Sequence, residues 1–340
     1  MVGIEELRRP GGLAVRVAVV AACYYAAARL GLLRELTVEG AVVTPIWPPT
    51  GVAVAALLIF GLRCWPGITL GAFLAVLSLT TPDVEILGVL FGNTAAPVCA
   101  ALLLRRARFR TDLSRLRDGL ALVFLAALAA MLISATVGAG FLVLTDGLRG
   151  HSFWPVWLAW WVGDAMGVLI VTPLLLALHR ARLPLPLGRW RGATALAVVA
   201  CVLVPLAAYS PISTLFLVYP VVIWAALRFQ LVGSVLCALL TSVVATVAAS
   251  DGVGAFAGLN RIEVMLKLQA FNGTTALTAL LLSAVIIEQR NTRESVENAC
   301  QELVEVLEHL TAGEAPPPRP RPSTGDPGDP GSRSGASGIP

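Results

Sequence analysis

The stretch Trp154–Leu178, WPVWLAWWVGDAMGVLIVTPLLLAL, decides how this chain is read. It is long enough to cross a bilayer, whose ~30 Å hydrocarbon core needs about 20 apolar residues. One carboxylate, Asp164, stands ten residues in, hence about 15 Å along the axis at helical rise. Trp154, Trp157, Trp161 and Asp164 follow the spacings i, i+3, i+7 and i+10, which puts them on one helical face. Gly163 and Gly167 form a GxxxG step beside it, where another helix backbone can come close. A carboxylate at that depth costs about 2.5–3.5 kcal/mol on insertion scales and marks a functional position by default. Two plainer readings stand beside the functional one: an acid that only fixes helix packing, or an acid paired with Arg29 of the first span.

Composition sets the same class for the rest of the chain. The 340 residues are 57% hydrophobic and 14% charged, with a mean hydropathy of +0.80, whereas a soluble domain carries about 25% charge. The expectation is an all-α, polytopic transmembrane bundle with no sizeable soluble domain. The net charge of +4 is almost wholly arginine, with Lys267 the only lysine. Those arginines sit in short connections, which indicates topology rather than nucleic-acid binding. The cysteines form no CxxC pair, and all but Cys300 lie in or beside apolar runs, which indicates packing rather than disulfides or metal. No small-residue cleavage site follows the first span, so it is expected to be retained.

Ten candidate spans follow: Leu13–Leu33, Val42–Leu62, Trp65–Thr81, Val84–Leu104, Gly119–Thr145, Trp154–Leu178, Ala193–Tyr209, Ser213–Leu227, Leu231–Ser250 and Val264–Ile287. Two are short and Val42–Leu62 is interrupted by prolines, so eight to ten is the expected range. Arginines concentrate in alternate connections, at Arg8 and Arg9, Arg63, Arg105–Arg117, Arg180–Arg191, Arg228, and Arg290 with Arg293. The positive-inside rule then puts both termini in the cytoplasm. A faint echo relates residues 46–67 to 218–233 and 92–104 to 272–282, an offset of six spans, which suggests two halves of parallel topology.

Outside the spans, residues 1–12 form a cytoplasmic N-terminus and 288–310 a charged amphipathic helix. Val296, Cys300, Leu303, Leu307 and Leu310 trace a heptad-like seam there, suited to pairing with a second copy. Residues 311–340 are Pro, Gly, Ser and Arg-rich, a composition that stays disordered.

Further polar candidates complete the reading. Trp47-Pro48-Pro49-Thr50-Gly51 opens the second span, where Pro48 and Pro49 suit a first helical turn and Trp47 an interface or the rim of a cavity. Asn93 lies near the middle of the fourth span, and Gln269 and Asn272 in the outer part of the tenth. With Asp164 these make one polar layer, or they are amides that simply bond across helices at about 0.6 kcal/mol each. The ligand-binding candidates are therefore Asp164, Trp161, Trp157, Trp47, Asn93, Gln269 and Asn272, with Gly163, Gly167, Pro48 and Pro49 as packing residues. The sequence has no HExxH, no Cys/His cluster, no GxSxG and no phosphate-binding glycine pattern, so no catalysis, metal or cofactor is expected.

Several of these motifs together resemble a known family. The run Trp47–Gly51, then Gly61, Arg63, Trp65-Pro66-Gly67 and Gly71–Leu74, is similar to the first membrane-associated sensor (MASE) family of bacteria. So are Gly92-Asn93-Thr94, Trp161–Leu169, Thr172–Leu175, Pro220, Trp224–Phe229, Leu268–Phe271 and Glu288-Gln289-Arg290. The resemblance covers roughly Leu13–Arg290. It implies an integral membrane sensory module of the bacterial plasma membrane that usually precedes a histidine kinase, diguanylate cyclase or phosphodiesterase. This chain departs from that pattern in carrying no output domain, so the expectation is a stand-alone sensor served by a kinase or cyclase in trans. The alternative, from the repeat echo and the buried carboxylate, is a transporter or a substrate-capturing transporter subunit.

Overall fold

The computed structural model describes residues 10–34, 36–38, 41–79, 85–180, 190–210 and 214–311. The expectations for residues 1–9, 81–83, 182–189, 211–212 and 312–340 lie outside them. The chain divides into two compact units, Met1–Arg290 and Asn291–Pro340.

The first unit is a helical bundle that crosses the membrane several times. Its helices are α1 (Pro10–Gly31), α2 (Pro48–Phe60), α3 (Trp65–Leu77), α4 (Glu85–Arg106), α5 (Leu116–Ala121), α6 (Met131–Leu144), α7 (Phe153–Arg180), α8 (Trp190–Tyr209), α9 (Val218–Ser250) and α10 (Arg261–Thr311). A π-helical stretch, Leu122–Ala130, joins α5 to α6. Among the described residues, seven helical stretches are long and apolar enough to cross a membrane, while 48–60 and 62–77 are shorter. A polytopic helical bundle is thus shown, and the finer count of about ten, within eight to ten, is not confirmed. The eighth and ninth expected spans lie inside one element, α9, interrupted at Gln230.

The second expected span, Val42–Leu62, is corrected. Val42 and Val43 belong to a strand, β2 (Ala41–Val43), which pairs antiparallel with β1 (Leu36–Val38). The helix starts only at Pro48, after an extended Trp47 at φ −106° and ψ 87°. A residue before proline is pushed out of the α region, and Pro48 and Pro49 lose nothing in a first turn, where N–H groups have no helical partner. The thirteen residues of α2 reach only about 20 Å. Non-helical backbone at membrane depth is tolerated when protein covers it, and Thr44–Trp47 is packed against α7, as described below.

Two breaks show how the helices reverse. Gly61 sits at φ 95° and ψ 166° between α2 and α3, a conformation open to glycine. Gln230 takes φ 55° and ψ −142° within α9, in a region that costs a side chain about 1–3 kcal/mol. The two breaks fall at matching places in the stretches whose sequences echo each other.

Packing relies on small residues. α7 lies against α2, α6 and α9, α4 against α6, and α1 against α2 and α3. Ala53, Ala96, Ala100, Ala126, Ala225 and Ala226 are wholly buried, which permits the close helix approach expected where lipid gives no hydrophobic drive between helices. α10 opens with a reciprocal cap: Glu263 N donates to Asn260 Oδ1 and Asn260 N to Glu263 Oε2, both at 2.9 Å.

The arginine-bearing ends gather at one end of the bundle. Arg105 donates to Leu57 O, Arg180 to Thr111 Oγ1, Leu116 N to Glu288 Oε2 and Arg290 to Leu227 O, at 3.0–3.4 Å. In the connection between α4 and α5, burial pushes the Asp112 carboxyl up. Hydrogen bonds from Ser114, with Arg110 and Arg180 nearby, outweigh that and hold it below the ordinary value.

Asn291–Thr311 is the described part of the second unit and is helical. Arg293 and Glu297 pair at 2.8 Å across one turn, worth about 0.3–0.5 kcal/mol. Val296, Leu303 and Leu307 are exposed.

Candidate functional site

The site grows from the junction of α2 with α7. Trp47 N donates to Gly163 O at 2.9 Å, and Thr172 Oγ1 to Gly51 O at 3.1 Å. A Cβ on Gly163 would stand 2.5 Å from Thr44 O, and one on Gly167 would collide with the Trp47 carbonyl. One on Gly51 would meet the Gly167 carbonyl in turn. The GxxxG step therefore seats the non-helical entry to α2 as well as the helix. The expectation of a plain helix–helix contact is refined accordingly: the glycines let two backbones touch where one of them is extended.

That junction holds the carboxylate. Asp164 is 4% exposed, and its Oδ1 accepts from Thr50 Oγ1 at 2.6 Å. Thr50 lies in the first turn of α2, so the charge sits by the positive end of a helix dipole. Arg29 is exposed at the end of α1, and Asp164 has no ion pair among the described residues. The Arg29 pairing is thus replaced by hydroxyl donors, Thr50 and Ser134, and a helix end.

Beside Asp164 opens a cavity of about 480 Å³. Its described lining includes Trp47, Asn93 and Asp164 from the expected set, together with Tyr24, Thr44, Ser134 and Trp160. Tyr24 is wholly buried, and its Oη, beside the Trp47 indole, makes no hydrogen bond of full geometry among the described residues. Apolar side chains, among them Leu32, Val76, Leu79, Ile86 and Leu142, complete the wall. This size and mixture match small-molecule pockets, which run to about 300–1,000 Å³ with few polar groups.

Other expected members lie elsewhere. Trp157 Nε1 donates to Thr136 Oγ1 at 3.0 Å, and Trp161 Nε1 to Leu128 O in the π-helical stretch at 2.8 Å. The two rings stack at 5.7 Å, with Trp154 edge-on to Trp157. This ladder fastens α7 to the helix before it and is not part of the cavity wall. The α7 tryptophan that lines the cavity is Trp160, whose Nε1 donates to Val42 O at 3.1 Å. It lies four residues before Asp164, and that i, i+4 spacing was the available signal.

Gln269 and Asn272 are buried on α10 but do not line the cavity. Ser234 of α9 meets Ser283 at 2.6 Å and the Ala279 carbonyl at 3.2 Å. Thr241 and Ser242 of α9 and Asn272 and Thr275 of α10 are buried as well. Gln269 Oε1, both Asn272 side-chain polar atoms and the hydroxyls of Thr241, Ser242 and Thr275 have no protein partner among the described residues. The expected polar layer therefore resolves into two places, a cavity at Asp164 with Asn93, and a polar seam between α9 and α10. No group of His, Cys, Asp or Glu suited to a metal ion occurs among the described residues.

The chain was compared with known proteins. No curated protein and no solved structure matches it. A family model does match: MASE1, over residues 16–290. That range takes in the bundle, the α2–α7 junction and the cavity, and it agrees with the motifs from Trp47 to Arg290. The chain belongs to the MASE1 family of membrane sensory domains.

Proposed function

We propose that the bundle senses a small molecule in the cavity beside Asp164 and passes the signal to a cytoplasmic output without itself catalysing a reaction. The observation that carries this reading is one buried carboxylate, held by Thr50 at a helix start, on the wall of a cavity of about 480 Å³. Intramembrane ionisable groups in such settings mark ligand or ion sites. A ligand shifts a two-state bundle only by its different affinity for the two states. The α2–α7 junction supplies such an element, because Trp47 and Asp164 both line the cavity while Trp47 N and Thr50 join the helices. The reading places the chain in the bacterial plasma membrane, with the arginine-bearing end and both termini in the cytoplasm. The exposed apolar residues Val296, Leu303 and Leu307 offer a docking seam for a kinase or cyclase, or for a second copy of the chain.

A second reading, a transporter or its substrate-capturing subunit, draws on the broken α2 and α9. Discontinuous helices line substrate sites in many transporters. Cross-linking from native membranes through residues 291–308 separates the two. The sensor reading expects a kinase or cyclase to be captured, or a second copy of the chain. Recovery of an energy-coupling ATPase would support transport and overturn the sensor reading.

A further inference from the structure

We propose that the cavity takes a small organic cation, an ammonium head with an apolar body. The inference rests on the cavity reading and adds the chemistry of what binds. Asp164 is the only acidic side chain lining the cavity among the described residues, and no Lys, Arg or His lines the wall with it. Its side chain is 4% exposed, and a buried carboxylate is stabilised by a counter-charge. The α2 end offsets about half a charge at most, and Pro48 and Pro49 have no N–H to donate. A cation entering the cavity supplies the remainder.

The rest of the wall suits the same guest. Trp47, Trp160 and Tyr24 line the cavity, and aromatic faces attract ammonium groups, most strongly when desolvated. The Tyr24 Oη, with only the Trp47 indole beside it, and the half-buried Asn93 can hydrogen-bond a polar substituent. A bare metal ion fits poorly. The cavity is far larger than a coordination sphere, and one carboxylate among aromatic and aliphatic residues is not a hard-cation ligand set. The aliphatic wall instead favours a guest with carbon attached to its charge.

The test uses the full chain in lipid nanodiscs and reads its melting midpoint. The probes are choline and 3,3-dimethyl-1-butanol, which replaces the quaternary nitrogen by carbon and so differs in charge alone. A ligand that binds only the folded state raises the midpoint with concentration. Choline should raise it saturably while the uncharged probe leaves it unchanged. Asp164→Asn should weaken the choline response at least about tenfold, a loss of 1.4 kcal/mol or more. Asn93→Lys, which supplies a resident cation, should abolish the response while the protein stays folded. Tetramethylammonium and phenethylammonium extend the series.

Equal protection by both probes would overturn the cationic assignment and leave the cavity as a site for neutral molecules. A choline response unchanged in both variants would place the cation elsewhere and overturn it too. No shift with any of the three cations would also overturn it. Solvent access to the cavity is a separate measurement, so failure here is distinguishable from failure of the sensor reading.

Discussion

Gly167→Ala should cost the bundle about 3 kcal/mol, the upper end of what overpacking one methyl usually costs. The added Cβ would run into the Trp47 carbonyl, with Pro48 N beyond it at 3.6 Å. Neither side can yield easily. Trp47 N is tied to Gly163 O, and one turn on, Gly51 O accepts from Thr172. Relief would require moving α2 off α7, and with it the Thr50–Asp164 bond and the cavity rim. Gly140→Ala is the control, since a Cβ there meets nothing within 4 Å and alanine improves a helix interior by about 1 kcal/mol. Melting both variants in one detergent should give a large drop for the first and no drop for the second. Equal behaviour would mean that the α2–α7 contact is loose.

Thr50→Val should cost about 2 kcal/mol. It keeps the shape and removes the donor to a buried carboxylate, and hydrogen bonds to charged groups are worth about 1.5–3 kcal/mol. Asp164→Asn retains an acceptor oxygen and removes the charge, so it should insert and fold. Combined with Thr50→Val it should cost less than the sum of the single changes, because the two residues share one bond of 2.6 Å. Arg29→Gln should leave melting unchanged, since Arg29 is exposed. Rescue of any Asp164 variant by Arg29→Gln would restore the ion-pair account and remove Thr50 from the site.

Much of the fold was legible because long apolar runs have few alternatives in lipid. The runs around α1, α4, α5 through α6, α7 and α8 stand as helices within a few residues of their expected limits. The ends of α2 were harder to place. Val42 and Val43 are apolar in strand and helix alike, and hydropathy does not distinguish the two. Only Pro45, Pro48 and Pro49 marked the change of backbone. The break in α9 was visible as a charged interruption at Arg228, whereas the positive φ of Gln230 has no signature in that residue type.

The site was legible in its chemistry and less so in its partners. Asp164, Trp47 and Asn93 stood out as polar or amphipathic residues in apolar runs, and all three line one cavity. Helical periodicity placed Trp157 and Trp161 on the same broad arc as Asp164, but an arc spans two neighbours in a crowded bundle. Helix α6 and the π-helical stretch take their indole N–H groups. Thr50 carries no such mark in sequence, because a hydroxyl gains meaning only from the carboxylate facing it across 114 positions. Gln269 and Asn272 share depth with Asp164 along the chain, yet the fold assigns them to the α9–α10 seam.

We propose that the cavity beside Asp164, lined in part by Gly147 of an arginine-poor connection, opens to the outside and carries a negative charge. The most direct measurement is thiol labelling of Asn93→Cys, in a background where the six native cysteines are replaced by serine or alanine. Intact spheroplasts are exposed to membrane-impermeant methanethiosulfonates, one cationic and one anionic. The account predicts labelling from outside, about tenfold faster with the cationic reagent, and loss of that preference when Asp164→Asn is added. A thiol that stays unreacted until the membrane is opened, or that reacts equally with both reagents, would contradict it.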